Sequence, residues 1–479
     1  MNTTTMNRTT LFLIICNEFC ERFCFYGLKS LLFSFAKTEY NFSIKASTMI
    51  LHFFISMSYL FTLLGALLAD RFLGRYNTIL VLSPLYLTGT SILTYCSVVS
   101  GSPWVLMASL AMVAVGTGGI KPCIATFGGD QFGPNEAEGL RKFFDIFYFV
   151  INIGSMVSMM LVPAMSNVAC LGKLSCYPLA FGMSSALLGA SIFLFVAGEK
   201  LYVIKPARKE QFSNEFRFLV ENLKSLFQKR PESCEEQTQE SGKTAAEAVS
   251  ASHSQDTKKR IWKILKILGP AMFFWTLSDQ QSSSWVEQGQ KMGIRQSIFG
   301  YGVDILPSQM QALNPIFILF FIPIFSGFVY PLLGWLGVFS SREDKMGLGI
   351  VFGSLAFFYS GYLEHRIVQL VSSEEKLSIL WQVPQYAIMT VGEIMLNVTG
   401  MEYMYVEAPE TMKSLALSMW LLAVAVGNLL IMALTFLDPI SLLSSHRHDM
   451  WSFAMYGALG LVASSYMFKT SRSNRNSKG

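Results

Sequence analysis

Apolar residues fill this chain in windows of about twenty, the length that crosses the hydrocarbon core of a bilayer as a helix. Such windows lie near 11–36, 47–69, 77–99, 104–127, 141–164 and 178–198, then near 261–286, 312–337, 345–364, 378–403, 411–436 and 449–468. Six and six around a long polar stretch, they predict an all-α polytopic membrane protein of about twelve transmembrane helices. One window breaks the pattern. The run from Asn17 to Lys29, NEFCERFCFYGLK, puts Glu18, Glu21, Arg22 and Lys29 inside the first apolar segment. A charge at bilayer depth costs roughly 2.5–3.5 kcal/mol on insertion scales, so such residues pair with one another or face a water-filled cavity. On a helix, Glu18, Arg22 and Lys29 share a stripe with Glu21 and Phe25 beside them. That face either seals a helix bundle with a charge cluster or lines a path for an ion or substrate.

The polar stretch between the two sets of windows divides in two. Phe212, Phe216, Leu219, Leu223 and Phe227 recur at three or four residues among charges, the pattern of an amphipathic helix on a membrane or on the bundle. From 231 to 257 apolar residues are nearly absent, which predicts a disordered linker. The expected units are a six-helix bundle over 1–200, a linker over 201–260, a second six-helix bundle over 261–470 and a tail over 471–479.

Composition agrees with a membrane class: 52% of residues are hydrophobic, 14% are charged, and the mean hydropathy is +0.41. The net charge of +5 is a matter of topology. Arg71 and Arg75 lie between windows two and three, Arg141 and Lys142 open window five, and the tail carries Lys469, Arg472, Arg475 and Lys478. The positive-inside rule therefore places both termini and the central loop in the cytoplasm, with no nucleic-acid partner needed to explain the charge. No cleavable leader is expected, the first helix serving as the targeting segment. Of eight cysteines, Cys170 and Cys176 fall in an expected extracellular loop, ACLGKLSCYP, where a short-loop disulfide can form. Cys16, Cys20, Cys24, Cys96 and Cys123 read as small apolar packing residues. The sequon at Asn41 lies in the first outer loop and is a glycosylation candidate; those at Asn2 and Asn7 face the cytoplasm and Asn397 lies within a span. An enzyme finds no support, since there is no P-loop, nucleophile elbow or metal-spaced cluster; no cofactor or metal is expected.

The loop GALLADRFLGRY, Gly65 to Tyr76, resembles the motif of the major facilitator superfamily between its second and third helices. That resemblance implies two six-helix halves with a midplane cavity, and cytoplasmic gating roles for Asp70, Arg71 and Arg75. Three further segments, NEFCERFCFYG, GTGGIKPCIATFGGDQF and FFDIFYFVINIGSM, resemble the diagnostic motifs of the proton-coupled oligopeptide transporter family. In the second half, FFWTLSDQQSSSW, QMQALNP and WQVPQYAIMTVGEIMLNVTGMEY are most similar to its animal members. The large extracellular domain those members carry between helices nine and ten is replaced here by the short run around Glu364 to Ser378.

The residue types suit such a substrate in their own right. A di- or tripeptide has a fixed amine and carboxylate, which call for an anion at one end of a site and cations at the other. Arg22, Lys29 and Lys121 are intramembrane cations of the first half; Glu393, with Glu402 nine residues on, is an intramembrane anion of the second. The resemblance assigns the peptide amine to Glu393 and its carboxylate to Arg22 and Lys29, with Lys121 near. It gives hydrogen bonds to Tyr26, Tyr148, Asn152 and Asn314, and side-chain pockets to Trp275 and Trp420. It assigns proton coupling to Glu18, Glu21, His52 and Lys121, and an outer-mouth ion pair to Asp279. Three positions depart from the family: Lys29 stands for arginine, Phe25 for tyrosine, and Ser326 for an acid that would pair with Lys263 in a gate, so that pair is expected to be missing.

The expected function is proton-driven symport of di- and tripeptides across the plasma membrane, with a single chain sufficient. Carriage of another small solute such as histidine or nitrate, or a non-transporting nutrient sensor, are the alternatives. Nitrate carriers of the family tend to lose the glutamate pair, and a sensor calls for an output domain beyond the short tail.

Overall fold

The computed structural model describes residues 8–99, 101–133, 136–207, 245–298, 300–337, 339, 341–370, 375–408, 413–439 and 448–476. Helices α1 (Arg8–Glu39), α2 (Ile44–Leu68), α3 (Arg75–Val99), α4 (Pro103–Gly129), α5 (Ala137–Ser166) and α6 (Tyr177–Ala197) form the first half. The second half has the same count of spans, three of them interrupted. The seventh is α7 (Ala245–Ser278), a 3₁₀ turn at Asp279–Ser282, and α8 (Ser284–Gln290). The eighth joins α9 (Leu313–Ile324) to α10 (Tyr330–Trp335) through a π turn at Phe325–Val329. The ninth is α11 (Arg342–Leu370), and the tenth joins α12 (Val383–Glu393) to α13 (Thr399–Glu407) through a π turn at Ile394–Val398. Helices α14 (Lys413–Leu437) and α15 (His448–Asn476) complete it. A hairpin of β1 (Arg295–Ile298) and β2 (Tyr301–Asp304) precedes α9, turning at Gly300 with φ +82°.

Local chemistry sets several boundaries. Ser43 caps α2 by accepting the amide of Ala46, and prolines open α4 and α6, where the missing N–H costs nothing. Among the described residues, eight segments are long and apolar enough to cross a membrane unaided. The first, seventh, tenth and twelfth are not among them. The first carries the charged stripe, the seventh and tenth break beside Asp279 and Glu393, and the twelfth is diluted by serine and glycine. The linker reading needs one correction: α7 begins at Ala245, inside the stretch predicted to be disordered, because the alanine-rich AAEAVSA favours helix and prolongs the span. The amphipathic pattern at 212–227, Asn2 and Asn7 lie outside the described residues.

Each half has its own core. In the first, Tyr76, Phe127, Phe195 and Tyr202 form an aromatic cluster below a layer containing Phe25, Phe33, Phe35 and Phe54. In the second, Trp285 and Tyr386 meet edge to face at 4.8 Å, backed by Phe357. Helices α2 and α4 cross so closely at Gly65 and Gly119 that a Cβ on Gly65 would lie 2.3 Å from the Gly119 backbone. Helices α11 and α12 do the same at Gly349 and Gly392, where a Cβ on Gly392 would lie 2.6 Å from the Gly349 carbonyl.

The halves are tied together at the end that holds the α1–α2 turn and the hairpin. Lys37 donates to Gln290 at 2.8 Å, Gln311 to the Ser30 carbonyl at 3.2 Å, Gln309 to the Met160 carbonyl at 3.0 Å and Ser56 to the Ala425 carbonyl at 3.0 Å. Lys45 pairs with Asp438 across the same end. At the opposite end the ion pairs of Arg75 with Asp130, Lys205 with Asp130, Lys263 with Glu407 and Arg342 with Glu402 each stay within one half.

Candidate functional site

The charged stripe of α1 is fully enclosed, and it pairs with itself. Arg22 forms ion pairs with Glu18 at 3.1 Å and with the neighbouring Glu21, all three side chains being buried. Thr117 on α4 donates to Glu21 at 2.5 Å. One turn further along α4, the ammonium of Lys121 sits over the rings of Tyr59, at 4.0 Å, and Phe25, at 4.4 Å. It has no hydrogen-bond partner among the described residues. Aromatic faces stabilise a desolvated cation by about 2 kcal/mol at best, less than a carboxylate partner inside a protein. Lys121 is thus a buried cation beside two carboxylates it does not touch, and a shift of Arg22 would leave those carboxylates to it.

Below this cluster a cavity of about 640 Å³, its open mouth included, separates the two halves. Tyr26, Lys29 and Tyr59 form its wall in the first half; Trp275, Asp279, Asn314, Glu393 and Asn397 form the wall opposite. Asn314 donates to Glu393 at 2.7 Å, leaving the rest of that carboxylate toward the void. Lys29 donates to Asp279 at 2.7 Å, so the predicted acidic partner of an outer-mouth cation is present, and the cation is Lys29. Asp279 continues into a chain of buried bonds: Asn428 donates to its other oxygen at 2.7 Å, His52 Nδ1 meets Asn428 Oδ1 at 2.7 Å, and His52 Nε2 meets Ser283 at 2.8 Å.

Arg22, Tyr26, Lys29, Lys121, His52, Asp279, Asn314 and Glu393 therefore come together in this cluster and cavity, with Trp275 on the wall. The others lie apart. Trp420 is buried behind the cavity, donating to Asn397 at 2.9 Å and packed against Gly400. Asn152 donates to the Tyr148 carbonyl within α5, and the Tyr148 side chain is exposed beside the void rather than on its wall. Arg75 lies 3.9 Å from Asp70 and 2.5 Å from Asp130, with Lys205 also on Asp130, while Arg71 stacks on Phe72. Cys170 and Cys176 are joined as a disulfide, and Asn41 is exposed at the α1–α2 turn.

Two expectations are corrected. Glu402 is not intramembrane: it is exposed and paired with Arg342 at 2.8 Å, because the π turn ends the deep part of the tenth span. Lys263 does not lack an acidic partner for want of an acid at Ser326, since Glu407 reaches it at 3.6 Å. Sequence reasoning passed over Asp130, Thr117, Ser283 and Asn428. Asn428 had a signal: it is a single amide in the apolar run AVAVGNLLIM, where a polar side chain needs a partner.

Comparison with known proteins places this geometry. The family model PTR2, POT family, matches residues 76–439. The chain is 37% identical over 361 residues to Peptide transporter family 1 of Drosophila melanogaster, covering 74% of this chain and 47% of that protein. It is 34% identical over 367 residues to Solute carrier family 15 member 2 of Homo sapiens, covering 75% and 49%. The chain thus spans about half the length of the curated relatives it matches. Among solved structures, the POT family transporter PepTSo superposes with a TM-score of 0.80 at 26% identity, over 97% of this chain and 98% of that one. An auto-inhibited POT family peptide transporter also gives 0.80 at 26%, over 97% and 96%. The likeness runs through both halves and the cavity between them, and the chain, a multi-pass membrane protein of the major facilitator fold, belongs to the POT family.

Proposed function

We propose that the protein is a proton-driven symporter of di- and tripeptides working by alternating access. The observation that carries this is the polarity of the cavity, with Glu393 and Asn314 on one wall and Lys29, next to the Arg22 and Lys121 cluster, on the other. A zwitterionic peptide matches that arrangement: its ammonium meets Glu393, and its carboxylate takes a cation of the first half as Lys29 exchanges Asp279 for it. The Glu18, Glu21, Arg22 and Lys121 set supplies the proton sites, since loss of one ion pair there makes a buried carboxylate take up a proton. With both termini cytoplasmic, the tied end faces outward and the cavity opens inward. Plasma membrane residence, glycosylation of Asn41 and a monomeric working unit complete the reading.

The deciding measurement is uptake of a labelled dipeptide into proteoliposomes with and without an inward-directed proton gradient. Gradient-stimulated uptake is expected. Its absence across neutral, acidic and basic dipeptides overturns the proposal.

A further inference from the structure

The hydrogen bonds around His52 have a direction. Asn428 Nδ2 donates to Asp279 and to the Val424 carbonyl at 2.9 Å, so the amide atom that faces His52 Nδ1 is the oxygen. An amide oxygen only accepts, which places the imidazole hydrogen on Nδ1 and leaves Nε2 as the basic nitrogen. Nε2 therefore accepts the hydroxyl hydrogen of Ser283. The basic atom of His52 points away from Asn428 and Asp279, and toward the junction of α7 with α8.

That junction is a partition. Ser282 lines the cavity between the halves, whereas Ser284 lines two further cavities on the tied side, of about 350 and 600 Å³ with their mouths. Ser283 and His52 stand between them, both 0% exposed. Thr48, one turn before His52 on α2, is on the wall of the larger outer cavity. Glu287, one turn beyond Ser283 on α8, faces both outer cavities. The charged groups around Glu287 are Lys291 on its own side, Asp449 on α15, Lys37 on α1 and Glu364 on α11, with Lys45 and Asp438 on the wall of the larger cavity. Lys291 is held by Glu364 at 2.8 Å and Asp449 at 2.6 Å, Lys37 by Gln290, and Lys45 by Asp438. Glu287 has no ion-pair partner among the described residues. Around His52 the charged groups are Asp279 and Lys29, both on the opposite side of the partition.

We propose that Glu287 collects protons from the outer solution and delivers them through Ser283 to Nε2 of His52, so that the proton enters by a route separate from the peptide's. Ser283 passes its hydroxyl hydrogen to Nε2 and is reprotonated, through water in the outer cavity, from the carboxyl of Glu287, which returns to the carboxylate. The charged imidazole then donates from both nitrogens, and its field reaches Asp279 through Asn428, competing with Lys29 for that carboxylate. The tied end is loosened by the proton before a peptide arrives.

This inference rests on the proton-coupled reading, and its test separates the two. Dipeptide uptake into proteoliposomes of fixed internal pH is measured as the external pH is scanned, each profile normalised to its own maximum. With Glu287→Gln, half-maximal uptake should need about tenfold more external protons, and Glu287→Asp should restore most of the parent profile. Thr48→Val, which makes the outer wall apolar without removing a charge, should move the midpoint in the same direction. Glu287→Gln and Thr48→Val profiles that superpose on the parent overturn the route while leaving symport in place. A parent protein whose uptake ignores external pH overturns the symport reading itself.

Discussion

Glu393 is the residue on which substrate polarity turns. Its only described hydrogen bond is from Asn314, and the carboxylate otherwise faces the void, so a free ammonium is its natural complement. Glu393→Gln should weaken free dipeptides about tenfold or more in apparent affinity, the loss of a charge-assisted hydrogen bond of about 1.5–3 kcal/mol, and affect N-acetylated ones far less. Competition of each peptide class against a labelled tracer decides it; equal losses would reverse the assigned orientation. Glu21 differs in kind, because it is already satisfied by Arg22 and Thr117. Glu21→Gln should abolish gradient-driven accumulation and spare peptide-for-peptide exchange, since exchange returns the carrier loaded and moves no net proton. Loss of both activities together would make Glu21 structural. Both glutamates were legible in the sequence, because a charge in an apolar window draws notice. What was not legible is which cation each acid holds: Lys29 goes to Asp279, 250 residues away, and no spacing rule reaches that far.

At the scale of elements, hydropathy located the spans, and the four that fall short of the apolar criterion are the first, the interrupted seventh and tenth, and the last. Interruptions are hard to foresee, since a π turn has no composition of its own and arises where packing forces an extra residue into the helix. The turn at Ile394–Val398 begins at the residue after Glu393 and ends the buried part of its span, which is why Glu402 reaches the surface instead of the cavity. The position of Glu393 is fixed from the other side by Gly392, whose missing side chain lets α12 touch α11. Gly392→Ala inserts a methyl into the Gly349 carbonyl, which must move; overpacking of this kind costs about 1–3 kcal/mol. The expected result is a lower melting temperature in detergent together with weaker peptide binding. The same change at Gly182, where the nearest neighbour is 3.4 Å from a Cβ, should alter neither.

At the scale of the molecule, the two halves meet through polar contacts at one end, and closure there is what separates the cavity from that side. Cysteines in place of Lys45 and Asp438, joined by a bifunctional thiol reagent that a reductant can cleave, should arrest uptake until the link is cut. Uptake that continues unchanged after complete cross-linking would mean that this end does not open. The charged groups enclosed between the halves carry a further consequence. At formal charges, Glu18, Glu21, Asp279 and Glu393 face Arg22, Lys29 and Lys121, so the empty carrier holds one negative charge in excess. An electric field across the membrane acts on that excess with about 2.3 kcal/mol per 100 mV for a full crossing. An inside-negative voltage therefore drives the unloaded carrier back toward the outside, while a bound proton cancels the charge and frees the loaded step from the field. Cell voltage and proton supply thus act on opposite halves of the cycle, and a current transient recorded without peptide should report the return step alone.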